Sequence, residues 1–109
     1  MSNLELQKKD LLKEIEKLGY SSLRYSIFSE ERPGEWEVVI EYNQVENIYF
    51  VYGTMDRGSF NGKHVYHTFQ EAKTKFLDFI ADIVIINRYY VKEGMPVNYQ
   101  SPLWDDARE

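Results

Sequence analysis

The chain contains no cysteine among its 109 residues. Disulfide bonds, thiol nucleophiles and zinc–thiolate sites are therefore excluded, and nothing in the composition indicates an oxidising compartment. Histidine is scarce, since only His64 and His67 are present. Three positions apart on a predicted strand, the two imidazoles point to opposite faces, and no third ligand stands nearby in the sequence. We therefore predict no metal site and no cofactor.

Long apolar runs are also missing. The most apolar stretch, 76–91, is interrupted by Asp78, Asp82, Asn87 and Arg88. It is too short and too polar to span a bilayer. The first ten residues include several charges and lack the apolar centre of a signal peptide. We expect a cytoplasmic protein that does not bind membranes.

Catalytic motifs are absent as well. The chain has no Gly-x-Ser-x-Gly nucleophile motif, and the glycine-containing segment 59–63 lacks the spacing of a phosphate-binding loop. Paired carboxylates, such as Glu35 with Glu37 or Glu37 with Glu41, are better explained by an exposed sheet face. We predict no catalytic residue. A small enzyme with His64 or His67 as its base is the third-ranked alternative, because no partner group accompanies either histidine.

The residues that are present predict a single α+β domain spanning 1–109. Hydrophobic residues make up 43% of the chain, which is enough to bury a core at this length. Aromatic residues make up 16%, and nine of them are tyrosines. Tyrosine suits both the margins of a core and protein interfaces, because its ring is apolar and its hydroxyl is polar.

Hydrophobic periodicity predicts two helices and an antiparallel sheet meander of three or four strands. Leucine and isoleucine recur at helical spacing over 4–18, and Gly19 follows as a stop signal. Thr68 and Glu71 form a capping-box pattern that opens a second helix ending near Arg88. The predicted strands are 22–29, 35–43, 46–54 and a short fourth at 63–67, with turns at 31–34 and near 43–44. An irregular tail, 92–109, ends the chain.

Negative charge is concentrated in one segment. The formal net charge is −5, and 30–46 alone holds six acidic residues against one arginine. Alternation along the second strand directs Glu37 and Glu41 to the face opposite the predicted core. Such a face repels nucleic acid and anionic membrane and attracts basic partners. It is also explained by a solvated surface that keeps the protein soluble.

Four short motifs resemble small immunity proteins, which protect bacteria from their own polymorphic or contact-dependent growth inhibition toxins. The motifs are Trp36-Glu37-Val38, Tyr49-Phe50-Val51-Tyr52, Asp56-Arg57-Gly58 and Phe69-Gln70-Glu71-Ala72. The resemblance covers about the middle half of the chain. It implies a protein that binds and inhibits a cognate toxin, often a nuclease, and that needs no catalytic residue.

An acidic surface with aromatic anchors fits this role, because toxins that act on nucleic acid are basic near their substrate channel. The candidate toxin-binding residues are Glu35, Glu37, Glu41, Glu46, Tyr49, Asp56, Arg57, Trp104 and Asp105. The main alternative is an acidic chaperone-like protein of type III secretion, which would hold an effector segment on apolar patches. An acidic sheet face favours the immunity protein, whereas an apolar one favours the chaperone. For Arg57, pairing with Asp56 or with a helix end is the structural alternative to a contact role.

Overall fold

The structure is a computed structural model that describes residues 3–31, 33–54 and 64–104. In this part of the chain, two helices and four strands follow in the order α1 (Asn3–Leu18), β1 (Tyr25–Ile27), β2 (Val38–Asn43), β3 (Ile48–Gly53), β4 (His64–Tyr66) and α2 (Phe69–Lys92). The predicted α+β class is confirmed. The segment 55–63, which joins β3 to β4, lies outside the described residues.

Helix α1 confirms the prediction from leucine spacing. Leu11 and Ile15 are fully buried and fix one face of the helix on the core. Gly19 ends it with a φ of 78°, a conformation that glycine adopts without steric cost. The N–H of the next residue, Tyr20, then donates to the carbonyl of Ile15, which caps the last turn.

The sheet has the order β1-β2-β3-β4, and its first pairing differs from the prediction. Strand β1 runs parallel to β2, with Tyr25 opposite Val38. The expected antiparallel hairpin around 31–34 is therefore wrong, and β1 covers three residues rather than eight. Phe28 explains the early end, because its φ of 50° turns the chain out of extended geometry. The segment up to 37 then carries the chain back to begin β2 beside the start of β1.

The remaining pairings are antiparallel, as predicted. Tyr42 lies opposite Tyr49 across β2 and β3, and Tyr49 lies opposite Tyr66 across β3 and β4. Directly opposite residues share a face of the sheet. Because side chains alternate, Phe50 and Tyr52 point to the other face.

Helix α2 packs on β2 and β3. The hydroxyl oxygen of Thr68 accepts the N–H of Glu71 at 3.2 Å, which confirms the predicted capping position. The helix extends one turn beyond the predicted end at Arg88. Its buried residues, Ala72, Phe76, Ile80, Val84 and Asn87, recur at helical spacing. Ile83, on the same helix, is only half-buried.

Two close contacts fix how the helices sit. A Cβ added to Gly53 would lie 2.7 Å from Cζ of Phe79, so only glycine lets the ring of α2 approach β3 this closely. Lys73 of α2 forms an ion pair with Asp10 of α1, with 2.7 Å between Nζ and Oδ2. These contacts join both helices to one core.

The segment after α2 is irregular, as predicted, apart from a short helical turn at 102–104. It is nevertheless firmly packed. Asn87 and Asn98 exchange hydrogen bonds: Nδ2 of Asn87 donates to Oδ1 of Asn98 at 3.0 Å, and the N–H of Asn98 donates to Oδ1 of Asn87 at 2.8 Å. Trp104 is 2% exposed and its Nε1 donates to the carbonyl of Tyr99. The segment therefore closes one end of the core.

Candidate functional site

The four predicted carboxylates of the acidic segment fall into two groups. Glu35 and Glu46 are exposed, whereas Glu37 and Glu41 are half-buried. Glu35 precedes β2 and Glu46 lies in the turn after it. The exposed pair can act on a partner through charge at a distance, and the half-buried pair is fixed by its neighbours.

Glu41 is held by Tyr52. The hydroxyl of Tyr52 donates to Oε2 of Glu41 at 2.8 Å. Tyr52 is 2% exposed, and burial, followed by the hydrogen bond to Glu41 and its charge, raises the pKa of the phenol well above its usual value. The phenol therefore stays protonated at neutral pH and orients the carboxylate.

Glu37 is fixed through its backbone. Its N–H donates to Oγ1 of Thr54 at 2.7 Å, and its carbonyl accepts the N–H of Thr54 at 2.8 Å. The same Thr54 hydroxyl donates to the carbonyl of Gly34 at 2.7 Å. A Cβ at Gly34 would lie 2.9 Å from Oε2 of Glu37, so glycine leaves room for the carboxylate. The start of β2 is thereby tied to the end of β3.

A groove with a volume of about 670 Å³ lies where β1 and β2 end. We call it the hairpin groove. Two acidic, three aromatic and three uncharged polar residues line it, together with one leucine. They are Leu4, Phe28, Ser29, Glu30, Glu41, Tyr42, Asn43, Gln44 and Phe50. Sequence reasoning missed Phe28 and Glu30 as members of a site, because the end of β1 comes beside β2 only through the parallel pairing. It also missed Phe50, which lies directly opposite Glu41 across the antiparallel pair β2 and β3.

The turn beside this groove is fixed by side chains. Oδ1 of Asn43 accepts the N–H groups of Val45 and Glu46, both at 3.0 Å. Asn47 has a φ of 57°, and its side-chain oxygen accepts the hydroxyl of Tyr42. Val45 stands at the tip with 95% of its surface exposed. An ordered turn therefore presents an apolar side chain to solvent.

Two predicted aromatic anchors are not accessible. Tyr49 is 7% exposed, because it shares the helix face of the sheet with Tyr42 and packs against Phe69 of α2. Its hydroxyl donates to Oε1 of Gln7 of α1 at 3.0 Å. Tyr49, predicted as a toxin-binding residue, therefore lies on the helix face of the sheet, since the turn at 44–47 makes it the direct partner of Tyr42. Trp104 is also buried, within the segment that follows α2.

The other predicted contacts lie outside the described residues. They are Asp56, Arg57 and Asp105, and their roles stay predictions. His64 and His67 are both exposed. Within 3–31, 33–54 and 64–104, no three acidic or histidine side chains are grouped so that they could hold a metal ion. Neither helix in the same ranges is long and apolar enough to cross a membrane.

Comparison with known proteins identifies the family. No curated protein and no solved structure matches this chain. Residues 4–105, nearly the whole sequence, match the sequence model of one family, Imm59, described as immunity protein 59. The match agrees with the four motifs that resemble immunity proteins. The chain therefore belongs to the immunity protein 59 family.

Proposed function

We propose that this protein binds a cognate bacterial toxin and neutralises it in the cytoplasm of the cell that makes both. It acts by occupying the toxin in a stable complex and not by catalysing a reaction. The family match over 4–105 carries this proposal. The acidic segment and the hairpin groove supply the surface on which such a complex can form.

The charge of the protein supports a basic partner. Residues 30–46 carry a formal charge of −5, equal to that of the whole chain. Opposite charge accelerates encounter and penalises wrong partners. A nuclease is the toxin class that this charge fits best, because an enzyme that grips nucleic acid needs positive charge around its substrate channel.

The size of the protein is sufficient for tight inhibition. Its accessible surface is 7166 Å², and a standard stable interface takes about 800 Å² from each partner. About a ninth of the surface would be covered. The surface formed by the acidic segment and the hairpin groove can provide that area without any contribution from the buried core.

The chaperone-like alternative requires an exposed apolar sheet face. Val39 and Tyr52, which face away from the main core, are only 1% and 2% exposed. The half-buried carboxylates Glu37, just before β2, and Glu41, on β2, stand two residues to either side of Val39. Phe50 and Val65 on the same face do reach solvent, Val65 with 49% of its surface exposed, but they stand beside carboxylates and do not form a continuous apolar surface with Val39 and Tyr52. Binding of a basic toxin is therefore the better explanation.

Titration against the toxin encoded by the neighbouring reading frame tests the proposal. Toxin activity should fall in proportion to the amount of protein added and vanish near one-to-one, as expected of a binding inhibitor. Co-expression should restore growth to cells that make the toxin. A protein that abolishes activity at far below one equivalent is acting as an enzyme. A folded protein that leaves activity unchanged at excess contradicts the proposed function.

A further inference from the structure

We propose that the hairpin groove and the neighbouring Val45 form the docking surface for one basic segment of the toxin. That segment places lysine or arginine side chains in the groove and an apolar surface against Val45. This inference rests on the proposed function, since it names where the toxin binds and which of its features are recognised.

Charge complementarity is the first argument for this occupant. Glu30 follows β1 and Glu41 belongs to β2, so two separate segments bring carboxylates to one groove. Glu30 is exposed and Glu41 is oriented by Tyr52. A lysine or arginine that enters the groove meets two acidic residues, whereas an anionic ligand is repelled.

The aromatic lining is the second argument. Phe28 and Tyr42 line the groove from the helix face of the sheet, where both rings lie near Tyr49, and Phe50 lines it from the face that carries Glu41. Lysine and arginine have long apolar stems below a charged end, and both pack well on aromatic faces. A groove of about 670 Å³ has room for more than one such side chain. Aromatic rings beside carboxylates therefore match both parts of a basic side chain.

The construction of the turn is the third argument. Asn43 and Asn47 fix its backbone while Val45 remains 95% exposed. A contact residue that is already held in place loses little conformational freedom when a partner binds. Because Asn43 and Gln44 also line the groove, Val45 stands directly beside it. The apolar contact and the basic contact are thus parts of one continuous surface.

Two groove substitutions test the role of charge. Glu30→Gln with Glu41→Gln removes both charges, and glutamine still accepts the hydroxyl of Tyr52. Binding to the purified toxin should weaken at least about tenfold, in the range measured for close charge pairs. Glu16→Gln with Glu93→Gln is the matched control, since these exposed residues outside the groove change the net charge equally. The control should bind nearly as well as the unmodified protein.

Val45→Ala tests the apolar contact. We expect about fivefold weaker binding, because the substitution removes two methyl groups from the interface. Ile85→Ala is the control, as Ile85 is an exposed apolar residue on α2, 65% accessible. It should leave binding unchanged. Thermal melts of all variants should overlap closely enough to exclude unfolding as the cause of weaker binding.

The outcomes separate the two proposals. If the unmodified, folded protein fails to bind the toxin, the proposed function fails. If it binds but either the groove pair or Val45→Ala binds equally well, the docking surface is wrong and the function stands. Equal weakening by the groove pair and its control also overturns the docking surface, since only net charge would then matter. Weaker binding by both the groove pair and Val45→Ala, with both controls unchanged, supports the docking surface.

Discussion

The two ends of this molecule use aromatic residues in opposite ways. At the tail end, Tyr99 and Trp104 are 8% and 2% exposed, and their rings pack edge to face at 5.6 Å between centroids. At the hairpin end, Phe28, Tyr42 and Phe50 are half-buried and line an open groove with two carboxylates. The residue types are alike, but their surroundings differ.

Polar partners explain the difference. The indole N–H of Trp104 donates to the carbonyl of Tyr99, and the hydroxyl of Tyr99 accepts the backbone N–H of Arg24 at 3.2 Å. The Arg24 guanidinium also lies 4.5 Å from the centre of the Tyr99 ring. Burial raises the pKa of Tyr99, and the contacts with Arg24 partly offset this rise. The tail aromatics are satisfied inside the protein, so they belong to stability and not to recognition.

Trp104→Ala should have the largest effect on stability. Removing a large buried side chain and its hydrogen bond leaves a cavity at the end of the core, and we expect a loss of about 3–5 kcal/mol. Denaturant melts measure it. Trp104→Phe is the control that keeps most of the volume and should cost less. A loss near zero would mean that the tail end is not part of the cooperative fold, and the contrast between the two ends would fail.

Asn87→Ala should have the next largest effect. Asn87 is fully buried, and its side chain bonds the carbonyl of Ile83 and the side-chain oxygen and backbone N–H of Asn98. Removing it leaves buried partners unpaired, and the expected loss is about 1–3 kcal/mol. Asn98→Ala should show a smaller loss because its backbone N–H remains. Hydrogen exchange of the Asn98 amide should accelerate in Asn87→Ala; unchanged exchange would contradict the proposed contact.

The sequence predicted the locally encoded parts of this fold. Leucine spacing and Gly19 identified α1, and Thr68 with Glu71 identified the start of α2. Both signals act within one turn of helix, so no knowledge of distant contacts is needed. The antiparallel pairing of β2 with β3 also follows from the chain, since only a short turn separates them.

The parts that were missed depend on long-range pairing. The alternation of apolar and polar residues indicates which face of a strand is buried, but not the direction in which the strand runs relative to its neighbour. The parallel pairing of β1 with β2 could therefore not be inferred. The groove depends on that approach. The face on which Tyr49 lies depends on the register of β3 against β2, which the turn at 44–47 sets by pairing Tyr49 with Tyr42, and alternation within β3 alone does not give it. The packing of Trp104 depends on Tyr99, Arg88 and the end of α2, which no local pattern reveals.

Tyr52→Phe tests whether the buried hydroxyl on the sheet face beside the groove stabilises the fold through its hydrogen bond to Glu41. Losing the hydrogen bond to Glu41 should cost about 0.5–1.5 kcal/mol at neutral pH. Because the folded-state pKa of Tyr52 is raised, its contribution is complete below the unfolded value of about 10 and is lost as pH rises further. Stability should therefore fall more steeply above pH 10 in the unmodified protein than in Tyr52→Phe. Parallel curves measured by denaturant melts would exclude this coupling.

Reversing the charge of the exposed acidic residues should have the smallest effect on stability. Its effect on toxin binding should be confined to the rate of association. Glu35→Lys with Glu46→Lys changes the net charge by four, yet both sites are exposed, so stability should change by less than about 0.5 kcal/mol. Neither residue lines the hairpin groove. They should therefore steer a basic toxin without holding it, and their reversal should slow association about tenfold at low salt while leaving dissociation nearly unchanged.

Ionic strength distinguishes this steering effect from the loss of a contact. The difference from the unmodified protein should shrink as the Debye length falls from about 30 Å at 0.01 M salt to about 3 Å at 1 M. The control is Glu16→Lys with Glu93→Lys, which reverses the same charge away from the acidic segment. Association measured by biosensor should be less affected in this control. If it slows equally, the position of the negative charge does not matter, and the acidic segment is a solvated surface rather than the side from which the toxin approaches.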